Sequence, residues 1–281
     1  MFNSLSNDFS NLDELLIQDL IGLAERAGHD ILGFYDQAAV SQLKADSSPL
    51  TAADLASHER ILEGLHRLTP HLPVLSEESA LIDPSERQQW STFWLVDPLD
   101  GTKEFLNRNG EFTVNIALIK DQYPVFGIVH LPAQGLTYVG NGQRGAFRVD
   151  ADQRKCPIQI KSPVSCPLRV LGSRSHPAPD LEGYLNQLGP LVLEPVGSSL
   201  KFCHVAEGSA DLYPRFGPTS EWDTAAGQAV LEAAGGRVID LNGARLRYNH
   251  KSSLLNPYFL AFGDVGRDWL IPQETTFSAS K

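Results

Sequence analysis

The chain is poor in several features, and the scarcity of cysteine excludes a first class of protein. It has three cysteines among 281 residues, at Cys156, Cys166 and Cys203, with no C-x-x-C spacing. An odd number of scattered cysteines in a chain of this size argues against a disulfide framework and against a zinc site. We therefore expect reduced thiols and a fold that rests on a sizeable apolar core.

Long apolar runs are missing as well. No segment approaches the roughly 18 consecutive apolar residues of a membrane-spanning helix, although 42% of the residues are hydrophobic. The N-terminal stretch MFNSLSNDFSNLDELL has no Lys or Arg and carries acids where a secretion signal has its apolar segment. We expect a cytoplasmic protein without an integral membrane segment.

Positive charge is also in short supply. Lys and Arg number 23 against 34 Asp and Glu, which gives a formal net charge of −11. This balance argues against a nucleic-acid polymer as partner, because such polymers attract basic surfaces. A small phosphorylated ligand remains compatible if local cations, either side chains or metal ions, offset the acidic field.

Two amphipathic helices are predicted near the N-terminus. Apolar residues recur three and four positions apart from Asn11 to about Tyr35. A second helix is expected to begin at Thr51, where TAAD offers a capping box with Asp54, and to end before Pro70.

The middle of the chain reads as a mostly antiparallel sheet, and the C-terminal part as alternating strands and helices. The runs PVLS, TFWLVD, FTVNIALI, VFGIVHL and LTYVG are typical strands, with a hairpin at GNGQRGAF. From about residue 168, strand and helix patterns alternate, which indicates layered α/β packing. The proline-containing segment KSPVSCP is the predicted boundary between an N-terminal lobe, residues 1–165, and a C-terminal lobe, residues 166–281.

Acidic residues gather where the predicted elements begin or end, which is where α/β folds place their sites. The segment Asp97-Pro98-Leu99-Asp100-Gly101-Thr102 follows a predicted strand. Pro98 fixes one backbone angle, and Gly101 allows a positive φ or a close approach to a ligand. Carboxylate and carbonyl oxygens in such a turn suit a hard cation such as Mg²⁺. Further acids stand at three other predicted element ends: Glu77, Glu78, Asp54 and Asp223.

Each acid taken alone has a purely structural explanation. DPLDG could be an ordinary acidic turn, and Glu77 with Glu78 could be a solvated loop. Asp54 and Asp223 could complete capping boxes and meet a helix dipole. The metal hypothesis therefore depends on the acids as a set.

Several motifs resemble those of the lithium-sensitive, magnesium-dependent phosphatases of the inositol monophosphatase superfamily. They are LSEES, DPLDGTKEF, GSSLKF and EWDTAAGQAVLEAAGG, in the family's order and over nearly the whole chain. The resemblance implies an α/β fold of the sugar-phosphatase type, an αβαβα sandwich, with two or three Mg²⁺ ions per site. We expect a monomer or homodimer. The resemblance leaves open attachment to the cytoplasmic face of the inner membrane, although the sequence has no lipid-anchor signal.

Within the superfamily, the closer resemblance is to bacterial 3'(2'),5'-bisphosphate nucleotidases. It rests on Lys103-Glu104-Phe105, on GSRSH at residues 172–176, and on the segment 197–201 leading to ADLYPR at residues 210–215. It implies hydrolysis of the 3'-phosphate of adenosine 3',5'-bisphosphate to AMP in sulfur assimilation, with 3'-phosphoadenylyl sulfate left open as a second substrate. Two alternatives also stay open: an inositol or sugar monophosphatase, and a non-catalytic sensor or scaffold for a phosphorylated ligand.

The resemblance assigns roles to individual residues of this chain. Thr102, with Glu77 or Asp54, would orient a metal-bound water for in-line attack on phosphorus. A second, non-reacting phosphate needs a cation, for which Lys201 and Arg215 are the candidates, with plain surface charge as the alternative. The implied metal ligands are Glu77, Asp97, the Leu99 carbonyl, Asp100 and Asp223. The implied substrate contacts are Gly101, Thr102, His176, Ser198, Lys201, Arg215 and Asp223.

Overall fold

Two β-sheets and the helices around them build five layers in the order helix, sheet, helix, sheet, helix. The computed structural model describes residues 12–35, 49–174 and 179–271. Its helices are α1 (Glu14–Tyr35), α2 (Pro49–Leu68), α3 (Pro84–Arg87), α4 (Thr102–Leu106), α5 (Pro179–Leu185), α6 (Leu200–Ala206) and α7 (Ala225–Ala233). Three-residue 3₁₀ turns lie at Glu77–Ser79, Pro132–Gln134 and Glu221–Asp223.

The first sheet contains β1 to β7 in sequence order. Its strands are β1 (Val74–Ser76), β2 (Thr92–Asp100), β3 (Thr113–Lys120), β4 (Tyr123–Leu131), β5 (Leu136–Asn141), β6 (Gly145–Val149) and β7 (Lys155–Ile158). β1 runs parallel to β2, and every other neighbouring pair is antiparallel. The predicted hairpin is confirmed, because Asn141 pairs with Gly145 at its turn. Edge strand β7 was not predicted, since its proline and its partial exposure hide the strand pattern.

Helices α1 and α2 cover one face of this sheet, as their spacing predicts. Leu20, Ala24 and Ala27 of α1 are fully buried in a cluster that includes Trp94 and Leu118 of the sheet. The predicted start of α2 was wrong. The helix already includes Pro49, so Thr51 lies inside the first turn and does not cap it.

The second sheet has the order β11-β12-β10-β8-β9. Its strands are β8 (Leu168–Ser173), β9 (Leu191–Val196), β10 (Leu212–Arg215), β11 (Arg237–Asp240) and β12 (Phe259–Phe262). β8 is parallel to β9 and β10, whereas β12 runs antiparallel to β10 and β11. On the outer face, Tyr184 and Leu188 from the α5 region pack with Trp269 against the sheet.

Helices α6 and α7 fill the layer between the two sheets. One apolar cluster contains residues of both sheets and both helices, including Phe93, Phe202, Val230 and Phe259. Helix α7 lies so close to the first sheet that a Cβ at Gly140 would come within 2.4 Å of the Val230 Cα. This close approach requires glycine on the strand, and it fixes the helix that follows the turn containing Asp223.

The segment of residues 161–167 lies between β7 of the first sheet and β8 of the second. The apolar cluster of the middle layer continues across both sheets. The division into lobes at residues 165 and 166 therefore stays a prediction.

The cysteine thiols are free, at a half-buried position for Cys156, an exposed one for Cys166 and a buried one for Cys203. Among the helices of the described ranges, none has the length and apolar character needed to cross a membrane.

Candidate active site

A cavity of about 200 Å³ lies where β2 ends against the turn between β9 and α6. Its wall contains almost all of the residues that the sequence nominated, although they are far apart along the chain. The predicted residues that line it are Glu77, Asp97, Leu99, Asp100, Gly101, Thr102, Ser198, Lys201, Arg215 and Asp223. His176 lies outside the described residues.

The acidic segment is a β-bulge and not a turn that ends the strand, so this part of the prediction was wrong. β2 continues to Asp100, with Asp97 paired to Asn115 and Asp100 paired to Thr113. The bulge holds one extra residue on β2 and contains Pro98, where a missing N–H costs no ladder hydrogen bond. The strand persists because β3 runs alongside it, which the local sequence of β2 does not reveal.

Gly101 connects the bulge to α4 with a φ of +90°, which confirms the predicted positive φ. A Cβ at this position would lie 3.2 Å from the Ser198 Cβ and 3.3 Å from the Glu111 carbonyl oxygen. Glycine therefore lets the Asp100–Thr102 turn approach the opposite wall of the cavity.

Asp223 completes a capping box and also lines the cavity. It ends the 3₁₀ turn Glu221–Asp223, and its Oδ2 accepts a 2.9 Å hydrogen bond from the Ser220 N–H. The same carboxylate lines the cavity. The predicted continuous helix from Glu221 was wrong at its start, because α7 begins at Ala225.

Asp54 lies in the second turn of α2, which corrects the prediction of a first-turn cap. One turn later, the Ser57 hydroxyl donates to the Pro98 carbonyl at 2.8 Å and fastens α2 to the bulge. The Asp54 Oδ1 is buried and has no hydrogen-bond partner within the described residues. Burial, together with the charges of Glu78 and Glu77, raises the pKa of Asp54 to about 8.

Asp54 is not among the residues that line the cavity, whose own carboxylates raise one another's pKa. Burial, followed by the charge of Asp100, raises the pKa of Asp223 to about 8 and lifts that of Asp97 well above its usual range. Partial burial raises the pKa of Glu77 to about 7, with Asp100 and Glu78 adding to the effect, although part of Glu77 remains exposed. Like charges that converge in this way favour protonation unless a cation is present.

The donor set fits a hard divalent cation. Carboxylates and a backbone carbonyl are the oxygen ligands that Mg²⁺ prefers, and the unpartnered Asp54 Oδ1 and the raised pKa values indicate an uncompensated negative site. No group of three acidic, His or Cys side chains in residues 12–35, 49–174 and 179–271 is already assembled at coordinating positions. The carboxylates therefore line one cavity, but within the described ranges no three of them have the spacing of a preformed metal site.

Two buried cations, Lys201 and Arg215, also line the cavity, and we call this part of its lining the cationic wall; the carboxylates form the acidic wall. Lys201 is 4% exposed, donates to the carbonyls of Val196 and Ser198, and lies 5.1 Å from the centre of the Tyr213 ring. Burial lowers the pKa of Lys201 to about 8, although the charge of Asp100 acts in the opposite direction. Its position excludes the alternative of plain surface charge.

Arg215 is also buried, with 7% of its surface exposed. One Nη2 hydrogen bond goes to the Pro218 carbonyl at 2.7 Å, whereas the buried Nε has no partner in the described part of the chain. Neither Arg215 nor Lys201 forms an ion pair with a described carboxylate. Two buried cations of this kind are suited to bind an anion.

Several residues of the site were missed by the sequence prediction. Ser173, Phe202, Tyr213, Thr219 and Thr224 line the cavity, and they come from elements whose contacts are not local in sequence. A clamp beside the cavity was also missed: Glu111 accepts hydrogen bonds from the Gly197 N–H at 2.7 Å and from Arg174 at 2.8 Å. Its only signal in the sequence is an acid in the loop before β3.

Comparisons with known proteins agree with this geometry. Two similar curated proteins are the "3'(2'),5'-bisphosphate nucleotidase CysQ" of Salmonella typhimurium, 50% identical, and that of Escherichia coli, 49% identical; each match covers 87% of this chain and 98% of the relative. The structure of CysQ from Bacteroides thetaiotaomicron matches with a TM-score of 0.78 and 39% identity over 89% of this chain and 98% of that one. An inositol monophosphatase from Anabaena matches with a TM-score of 0.68 and 25% identity over 89% and 91%. The model of the inositol monophosphatase family matches residues 12–264, and the chain belongs to that family.

Proposed function

We propose that this protein is a Mg²⁺-dependent phosphomonoesterase that removes the 3'-phosphate of adenosine 3',5'-bisphosphate and releases AMP and phosphate. The observation that carries the proposal is a single cavity lined both by clustered carboxylates and by two buried cations. The relatives named as 3'(2'),5'-bisphosphate nucleotidases support it, because they match over 98% of their own length.

The acidic wall, formed by the carboxylates of the cavity, would hold the metal. Magnesium dependence is a property of the inositol monophosphatase family, and we propose two or three ions in this site. Bound Mg²⁺ supplies positive charge to the phosphoryl oxygens and favours ionisation of water. The residues that would hold it are Glu77, Asp97, the Leu99 carbonyl, Asp100 and Asp223.

The chain itself would position and activate the attacking water. Thr102 is the first residue of α4 and lines the cavity beside Gly101, so its hydroxyl can orient a water molecule towards phosphorus. Asp54 offers a buried carboxylate oxygen without a partner among the described residues, and Glu77 offers a second acceptor nearby. Either acid can take the proton of that water as the bond to phosphorus forms.

The cationic wall would bind the second phosphate of the substrate. Lys201 and Arg215 line the same cavity as the acids, and Ser198 lies in the turn between β9 and α6 that also lines it. A phosphate that does not react needs such a counter-charge, since it would otherwise enter a strongly acidic site. This arrangement favours a bisphosphate over inositol 1-phosphate, which carries only one phosphate group.

Two other functions make different predictions. An inositol or sugar monophosphatase would use the same carboxylates but would gain nothing from two buried cations. A non-catalytic sensor or scaffold would need neither Thr102 nor the unpartnered oxygen of Asp54.

A substrate panel separates the three functions. Purified protein is incubated with adenosine 3',5'-bisphosphate, 3'-phosphoadenylyl sulfate or inositol 1-phosphate, with Mg²⁺ and with a chelator, and released phosphate is measured. We expect Mg²⁺-dependent release that is fastest from the bisphosphate. Faster release from inositol 1-phosphate would move the assignment to the monophosphatase, and binding without release from any compound would favour the sensor.

A further inference from the structure

Three buried polar side chains meet behind the cavity and form what we call the Ser199 cluster: Ser199, Thr113 and Asn115. Their exposed fractions are 2%, 0% and 1%. Thr113 and Asn115 are two positions apart on β3 and so share one face of the sheet. Ser199 comes from the turn before α6, so the cluster joins the first sheet to the middle layer.

The members of the cluster are hydrogen-bonded to one another. The Ser199 hydroxyl donates to the Asn115 Oδ1 at 2.7 Å, and the Thr113 Oγ1 lies 2.9 Å from the Ser199 Oγ. Burying polar groups in this way is unfavourable unless the partners are satisfied. An apolar contact between β3 and the start of α6 would avoid this cost of burial. The presence of polar side chains here therefore suggests a role other than packing.

That reason lies in one oxygen of Asp100. The Ser199 N–H donates to the Asp100 Oδ2 at 2.6 Å, and the Thr113 Oγ1 and the Asn115 Nδ2 each approach the same atom at 3.4 Å. None of these contacts involves the Asp100 Oδ1. The Asp100 carboxylate is therefore held through its Oδ2, and Asp100 also lines the cavity.

The turn that supplies Ser199 also belongs to the other wall. It contains Ser198, whose carbonyl accepts from Lys201, so the contact with Asp100 links the acidic wall to the cationic wall. A shift of this turn would move the carboxylate and the anion-binding side chain together.

We propose that the Ser199 cluster is a positioning device that anchors the Asp100 Oδ2 and thereby presents the Oδ1 to Mg²⁺, in register with the cationic wall. The members of the cluster act through Asp100 and do not touch the substrate. The inference rests on the proposed function, because that function makes Asp100 a metal ligand.

Variants of matched shape test the cluster. Thr113→Val keeps the shape of the side chain and removes the hydroxyl, whereas Thr113→Ser keeps the hydroxyl. Ser199→Ala removes the central hydroxyl of the cluster. The control is Thr137→Val on β5, where Thr137 is 1% exposed and lies 2.9 Å from the Nδ1 of His130, outside the cavity wall.

The readout is the rise in melting temperature with Mg²⁺ in the absence of nucleotide, which reports metal affinity independently of activity. The Mg²⁺ concentration for half-maximal phosphate release is measured in parallel. We expect Thr113→Val and Ser199→Ala to need about 3 to 10 times more Mg²⁺ in both assays, as the loss of one or two hydrogen bonds implies. Thr113→Ser should stay within about twofold of the parent, because the bond to the cluster is retained.

The control decides between positioning and simple stability. Thr137→Val should lower the melting temperature without Mg²⁺ and leave the Mg²⁺ midpoints unchanged. Midpoints of Thr113→Val and Ser199→Ala that equal those of Thr137→Val would overturn the inference while leaving the proposed function intact. A parent protein whose melting temperature and activity ignore Mg²⁺ would overturn both.

Discussion

The two walls of the cavity carry opposite charge, and burial acts against the charged form on both. On the acidic wall it raises the pKa of Asp223 to about 8, and on the cationic wall it lowers the pKa of Lys201 to about 8. The acids also repel one another, whereas the pKa of Lys201 is lowered further by neighbouring Arg215. Each wall therefore favours a ligand of opposite charge: metal cations at the acidic wall, and a phosphate anion at the cationic wall.

The walls also differ in how the chain builds them. Asp97 and Asp100 come from one short bulge, whereas Lys201 and Arg215 come from a helix and a strand of the C-terminal part. The acidic wall is thus a local motif with additions, and the cationic wall exists only in the folded chain. Variants that affect one wall at a time should separate metal binding from recognition of the second phosphate.

The largest effect is expected from Asp97→Asn. Removing this buried carboxylate should lower kcat by roughly 10³-fold or more, as expected when electrostatic stabilisation of the transition state is lost. The metal-free protein should keep its stability, because one member of a repulsive cluster is gone. Steady-state kinetics and a melting curve check both points. Exposed Asp152, changed to Asn, is the control, and equal kinetics of the two variants would contradict the role of Asp97.

A smaller and more selective loss is expected from Arg215→Ala. kcat/KM for adenosine 3',5'-bisphosphate should fall by about 100-fold, because hydrogen bonds to a charged phosphate are lost. The same variant should change kcat/KM for adenosine 3'-phosphate far less, since that compound lacks the second phosphate. Equal losses for the two substrates would remove Arg215 from the phosphate-binding role. Arg247→Ala, at an exposed position, is the matched control.

Gly197→Ala should disturb the junction between the walls. A Cβ there would lie 2.4 Å from the Glu104 Cγ and 3.1 Å from the Glu111 Cβ, so the turn has to move. We expect kcat/KM to fall by about tenfold, because small misplacements of binding groups are costly. The control is Gly33→Ala, whose added Cβ meets nothing within 4 Å and should stabilise α1 by about 0.5–1 kcal/mol. Unchanged kinetics in Gly197→Ala would show that the turn tolerates displacement.

The smallest effect concerns pH. The pKa of Asp54 and of Asp223 is raised to about 8 in the metal-free fold, against an ordinary value of 3.8 for Asp, so the folded state binds more protons between those values. Stability from these groups is present below about pH 4 and is lost as the pH rises through about 8. Mg²⁺ favours the ionised carboxylates, so it should raise the melting temperature more at pH 8 than at pH 5.5. An equal rise at both values would contradict the acidic wall as the metal site.

Much of the fold could be predicted because its signals are local. The period of α1, the alternation of the strands and the hairpin at Asn141 each depend on neighbouring residues. One error concerns a feature that depends on a distant partner, and another concerns the boundary of a helix. The bulge at Asp97 exists because β3 continues alongside it, and the α2 start at Pro49 shifted Asp54 out of the predicted cap.

The same distinction between local signals and distant contacts applies to the residues of the site. The acids could be nominated from their positions and from resemblance, and the structure brings Glu77, Asp97, Asp100 and Asp223 to one cavity. The burial of Lys201 and the Ser199 cluster depend on the packing of α6 against the first sheet. Thr113 and Asn115 did leave a signal, two polar residues on one face of an otherwise apolar strand, which is unusual for a buried sheet face.

The most direct test is to determine which of the two phosphate groups of the substrate is released. Adenosine 3',5'-bisphosphate is incubated with the protein and Mg²⁺ and followed by phosphorus NMR. The account predicts that the 3'-phosphate signal disappears as inorganic phosphate grows, while the 5'-phosphate signal persists as AMP, because the cationic wall holds that group away from the acids. Loss of the 5'-phosphate signal, or two unchanged signals in the presence of Mg²⁺, would contradict it.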